Sequence, residues 1–132
     1  MAYFHNTVRL DGFHWEDSSL TWNLAAGIVH ADIGKAVSVD TTGPNKVKLA
    51  GVGDHIIGRL SSVEDRQIEG IRVGAVELQF ANKMTIASGQ TVVVGDTAVG
   101  SGNGEIRAAA TPNHSVNVVT EVVGNQATVV KV

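Results

Sequence analysis

Residues 115–132 read SVNVVTEVVGNQATVVKV, two runs rich in valine and threonine on either side of Gly124-Asn125. β-branched side chains fit a pleated surface better than a helix, and a two-residue loop of glycine and asparagine supplies the positive φ that tight hairpin turns require. The stretch therefore predicts a β-hairpin, with Ser115 to Val123 facing Gln126 to Val132. Similar signatures lie upstream. Thr97 to Val99 and Glu105 to Ala109 face each other across Ser101-Gly102-Asn103-Gly104. The turn cluster Thr41-Thr42-Gly43-Pro44-Asn45 precedes Lys46-Val47-Lys48-Leu49, whose alternation sends both lysines to solvent and both aliphatics inward.

Between these hairpins the pattern stays β-like. Ala36 to Asp40 places Val37 and Val39 on one face, and Ile56 to Leu60 makes a strand after the Gly51-Val52-Gly53-Asp54 loop. Ile71 and Val73, then Val76, Leu78 and Phe80, read as two half-buried strands around Gly74. Thr91 to Val94 is a β-branched run closed by Gly95-Asp96, and Gly95, Gly100, Gly102 and Gly104 read as turn glycines. Ile28 to Gly34 is too short for a full helix and predicts one turn before a strand. Ser61 and Glu64 match a capping box, but no amphipathic run follows, so Ser61 to Gln67 reads as a polar loop or edge segment. The expected fold is all-β: a compact β-barrel or β-sandwich of short antiparallel strands with an extended N-terminal arm.

That arm covers residues 1–24, leaving 25–132 as the β domain. It holds Tyr3, Phe4, Phe13, Trp15 and Trp22, five of the six Phe, Trp and Tyr residues, with only Phe80 beyond. Asp11-Gly12 signals a turn between Val8-Arg9-Leu10 and Phe13-His14-Trp15, compatible with a small hairpin. Aliphatic side chains suffice for a β core, and large aromatics are common interface anchors, so these five are the candidate contacts with other subunits. The alternative is that Trp15 and Trp22 cap one open end of the domain's own core.

At 132 residues the chain is one domain that needs no staples, and with no cysteine it has no disulfide framework or thiolate chemistry. A net charge of −3 without a basic run argues against nucleic acid. No apolar run approaches the roughly 20 residues of a membrane span, nor is there a secretory pattern, so a soluble protein made in the cytoplasm is expected. Charged residues make up 17%, against about 25% in average domains, leaving low-charge surface for subunit contacts.

The residues give little chemistry. His30 with Asp32, and Asp54-His55, could join His114 in a metal site, but three or four convergent ligands are needed. Ser88 lacks the glycine two residues before it that a nucleophile elbow requires, and Gly95 to Gly104 carries neither a dinucleotide nor a P-loop order. Asn113-His114-Ser115 fits a glycosylation sequon without the context that would give it meaning. No enzyme activity, cofactor or metal is expected. Asn82-Lys83-Met84 with Ser88-Gly89-Gln90 and Val93-Val94-Gly95-Asp96 superficially resembles biotinyl or lipoyl carrier domains, in which a hairpin-tip lysine takes the cofactor. Lys83 lies too near Gly89 for the strand that fold needs between them. A small ligand-binding or carrier barrel is the alternative function.

A broader resemblance runs through the chain. The Asp32-Ile33-Gly34-Lys35-Ala36-Val37 segment, the Val47-Lys48-Leu49-Ala50 strand, the Ile57-Gly58 step, the Gly102-Asn103-Gly104-Glu105 tip and the valine-rich terminal hairpin resemble, in this order, the decoration or cement proteins of tailed-bacteriophage capsids. The resemblance implies a β-rich protein on the outer face of the virion shell, a homotrimer before a dimer, bridging copies of the major capsid protein and doing no chemistry. It also implies a terminal arm reaching to neighbouring subunits.

Overall fold

The computed structural model describes residue 8 and residues 10–14, 18–66 and 70–132. Among them the chain forms β1 (Phe13–His14), β2 (Ser19–Leu24), β3 (Ala36–Val39), β4 (Lys46–Leu49), β5 (Gly58–Leu60), β6 (Glu64–Arg66), β7 (Ile71–Glu77), β8 (Phe80–Thr85), β9 (Ala98–Gly102), β10 (Glu105–Ala108), β11 (Val118–Val123) and β12 (Gln126–Lys131). A 3-10 turn, His30–Asp32, precedes β3 as the short Ile28 to Gly34 segment predicts. No α-helix occurs among the described residues, and the fold is all-β.

Five strands close a barrel in the order β2-β4-β3-β5-β7 and back to β2. Its hydrogen-bonded pairs are antiparallel except β2 with β4, which run parallel over Asn23 and Leu24. Leu24, Ile28, Val37, Val47, Leu60 and Val76 fill it. β5 and β6 lie on the same edge of β7 with a one-residue offset, which a bulge at the two serines absorbs: Ser61 and Ser62 both donate their N–H to the Ala75 carbonyl, at 2.9 and 3.4 Å. The segment read as a polar loop or edge is thus an edge strand. Gly74 does not divide two strands. β7 runs through it because a Cβ there would lie 2.2 Å from the Ser62 carbonyl oxygen, so only glycine lets the bulge close.

The second layer is the sheet β1-β8-β12-β11 with the β9–β10 hairpin beside it. The terminal hairpin turns at Gly124-Asn125 in the expected place, with a bulge between Val119 and Glu121. The β9–β10 turn narrows to Asn103-Gly104, both with positive φ of 53° and 73°, the two-residue hairpin geometry. A parallel bridge from Ile86 to Ile106 and the Gly95 and Asp96 bonds to Val119 tie hairpin and sheet around Phe80, Met84, Val119 and Val129.

The two bodies share residues. Ala36, Ala50 and Ile56 belong to the second core although they lie on or beside barrel strands. Small side chains let the backbones meet there: Ala36 N–H donates to the Gly104 carbonyl at 3.0 Å, and Gly104 N–H to the Ala50 carbonyl at 3.1 Å. Gly100 is buried within β9, where a Cβ would lie 2.2 Å from the Gly51 carbonyl oxygen. It is a packing glycine, not the turn glycine its sequence context suggests.

Three further expectations change. Thr91 to Val94 forms no strand; Val92 is buried while Val93 and Val94 face solvent. Val39 does not share the interior with Val37 but is 51% exposed, since β3 ends its barrel contacts there. The arm assigned to residues 1–24 overlaps the domain, because β2 is a full barrel strand paired with β7 from Ser19 to Asn23.

Candidate functional site

Asp11 and Gly12 make the expected turn, with Gly12 at φ 87°. Among the described residues, the strand after it pairs with β8. Phe13 and His14 lie opposite Ala81 and Phe80, adding β1 to the edge of β8. The Gly12 N–H donates to Asn82 Oδ1 at 3.1 Å, and Asp11 lies 3.9 Å from the Lys83 ammonium. Val8 and Leu10, 76% and 44% exposed, line a hollow with Thr120, Glu121 and Thr128 of β11 and β12. Val8 and Leu10 thus lie on one face of the sheet, by β11 and β12, while Phe13 and His14 lie at its far edge, on β8.

Of the five aromatic candidates, Tyr3, Phe4 and Trp15 lie outside the described residues, and Phe13 is described by its backbone in β1. Trp22 sits in β2 opposite Gly74 and packs half-buried against the barrel core, the position of a core cap. Its indole N–H is buried with no hydrogen-bond partner among the described residues.

The titratable candidates are dispersed, and no group of three His, Asp or Glu side chains that could hold a metal occurs among the described residues. Asp32, Asp54 and His114 have local work. Asp32 accepts from the Val29 N–H and Lys35, Asp54 from the Gly51 N–H, and His114 Nε2 lies 2.7 Å from the Gly95 carbonyl oxygen. Ser88 is an exposed turn residue, and Asn113 holds Ser115 in a local turn. Lys83 is not at a hairpin tip. It stands in the middle of β8 opposite Thr128.

Two surface hollows were not foreseeable from local sequence. One, of about 340 Å³, lies between the Ile86 to Val92 loop and the Gly124-Asn125 turn, next to exposed Val123. The other, of about 290 Å³, lies between barrel and second sheet and gathers Lys35, Arg59 and Lys83. These cations come from β5, β8 and the turn before β3, so no motif announces them. No family model, curated protein or solved structure matches the chain.

Proposed function

We propose that this chain is a structural decoration protein of a tailed-bacteriophage capsid, bound to the major capsid protein on the outer surface of the shell and holding it against the pressure of packaged DNA. The observation that carries the reading is the course of the leading segment. Its described residues leave Val8 and Leu10 exposed on one face of an all-β body and add Phe13 and His14 as an edge strand. Strand addition and exposed apolar anchors are the means by which such a body joins neighbouring subunits. The ordered resemblance along the chain supports the same role, and self-association into a trimer, or a dimer, fits it. Weak contacts repeated by a symmetric oligomer raise avidity by about 10² to 10⁴ without a strong single interface.

In this reading Tyr3, Phe4, Phe13 and Trp15 are the capsid or subunit contacts, and Trp22 serves both the barrel and its rim. Co-sedimentation with assembled shells of the parent virus tests it. Wild-type protein should bind saturably, and replacing Tyr3, Phe4 and Trp15 by Ala should weaken binding by at least about 30-fold, the effect of losing one good anchor. Failure of the wild-type protein to bind shells would remove the proposal.

A further inference from the structure

We propose that the hollow between barrel and second sheet is a socket for one carboxylate, carried on an acidic side chain of another protein. Lys35, Arg59 and Lys83 line it together with Thr85, Gln126 and Gly34. All three cations have carboxylate partners: Asp32 at 2.9 Å, Glu77 at 3.5 Å and Asp11 at 3.9 Å. None of these acids lines the hollow among the described residues. Asp32 and Glu77 are buried at 7% and 4% exposure, whereas the side chains of Lys35 and Lys83 keep 28% and 35%. Asp32 and Glu77 thus lie behind Lys35 and Arg59, and Asp11, whose side chain keeps 20% exposure, lies outside the lining, so the hollow itself is faced by cations.

Arg59 is the group best placed to read a carboxylate. A guanidinium presents five donors in a planar fork, and its contact with Glu77 is at the outer limit of a hydrogen bond. Its Nε is buried with no hydrogen-bond partner among the described residues, and its Nη2 lies over Gly34, where a Cβ would stand 3.2 Å away. An entering carboxylate gives that fork a second acceptor, with Thr85 and Gln126 supplying neutral donors on the far wall.

The charge balance selects the ligand. Because each cation already shares a carboxylate, the remaining field suits a single negative charge better than a doubly charged phosphate. The volume selects its bearer. At about 290 Å³ the hollow lies at or below the small end of metabolite sites, yet it readily takes one side-chain head, with Ala31 and Ile33 against its methylenes. The inference does not depend on the decoration role.

The test is an amide NMR titration of the full chain with a capped Gly-Gly-Glu-Gly-Gly peptide, its Gln counterpart, free glutarate and inorganic phosphate. The Glu peptide should move the Gly34, Lys35, Arg59, Thr85 and Gln126 amides saturably, and the Gln peptide should bind at least about tenfold more weakly. Lys35→Gln and Lys83→Gln should each weaken the Glu peptide about fivefold while leaving the remaining spectrum in place. Lys83→Gln spares both buried acids, Glu77 and Asp32, and so avoids the folding risk of Arg59→Gln. Equal binding of the Gln peptide, no saturable shift, or tighter binding of glutarate or phosphate than of the Glu peptide would overturn the proposal.

Discussion

Ala36 and Val37 are consecutive residues of β3, neither exposes any surface, and their side chains enter different cores. Successive strand residues point to opposite faces, so one strand is a wall common to barrel and second layer. The two bodies should then unfold together. Val37→Ala should cost about 2–3 kcal/mol by leaving a cavity in the barrel, and Ala36→Val about 1–3 kcal/mol by overfilling the other side. In urea unfolding followed by tryptophan fluorescence and by far-UV dichroism, both variants should shift one shared transition. A variant that splits the probes would show that the wall does not couple them.

Glycine positions separate into two kinds, and substitution should tell them apart. At Gly74 an added Cβ meets the Ser62 carbonyl oxygen at 2.2 Å, while at Gly27, with φ 93°, it meets nothing within 4 Å. Gly27→Ala should cost about 1–2 kcal/mol, the left-handed penalty alone. Gly74→Ala must push backbone against backbone at the Ser61–Ser62 bulge and should cost more, with thermal melting as the measure. Equal losses would mean that the bulge yields freely.

Why Gly74 reads as a strand break in the sequence shows what local pattern cannot carry. Alternation on either side of it is visible, and so are the hairpins at Gly124-Asn125 and Asn103-Gly104, because strand period and turn chemistry are properties of adjacent residues. The bulge is not, since it depends on Ser62 arriving from another strand. Trp22 is similar: its aromatic character suggests an anchor, and only its register with Gly74 places it against the barrel core. Lys35, Arg59 and Lys83 converge because three elements meet, a tertiary fact with no counterpart in spacing.

Asn117 is buried at 2% and acts as a backbone substitute. Its side-chain carbonyl accepts from the Ala98 N–H at 2.8 Å and its amide donates to the Ala98 carbonyl at 3.1 Å, as a neighbouring strand would. Asn117→Leu should strand both groups out of water and cost about 2–4 kcal/mol, loosening the start of β9. Hydrogen exchange at Ala98 should rise well before exchange in the barrel. Unchanged protection at Ala98 would assign its stability elsewhere.

Because β2 supplies one of five barrel strands, deleting residues 1–24 should abolish the cooperative transition. Leu20→Ser on the exposed face of the same strand should stay within about 0.5 kcal/mol of wild type. Loss of dichroism and of a sharp melt in the deletion, with both retained in the Leu20 variant, is the expected pair of results. A deletion that still melts sharply would mean that the ring closes without β2.

Acid should unfold the protein through two carboxylates held below their ordinary range. Burial pushes Asp32 up, but the Val29 N–H and the Lys35 ammonium, both at 2.9 Å, outweigh it. Asp40 is held down by the Thr42 hydroxyl at 2.7 Å and then the Thr42 N–H at 2.9 Å, against some desolvation, with Lys46 and Lys48 adding attraction. Such groups bind fewer protons folded than unfolded, so their contribution is present above the unfolded value of about 3.9 and is lost as pH falls through the lower folded value. Lys131 acts on the alkaline side, where burial holds its ammonium below 10.5; stability should rise as pH climbs through its folded value. Urea midpoints measured from neutral to acid pH should therefore drop below about pH 4, and Asp32→Asn with Asp40→Asn should flatten that drop. An undiminished acid slope in the double variant would place the sensitivity in other carboxylates.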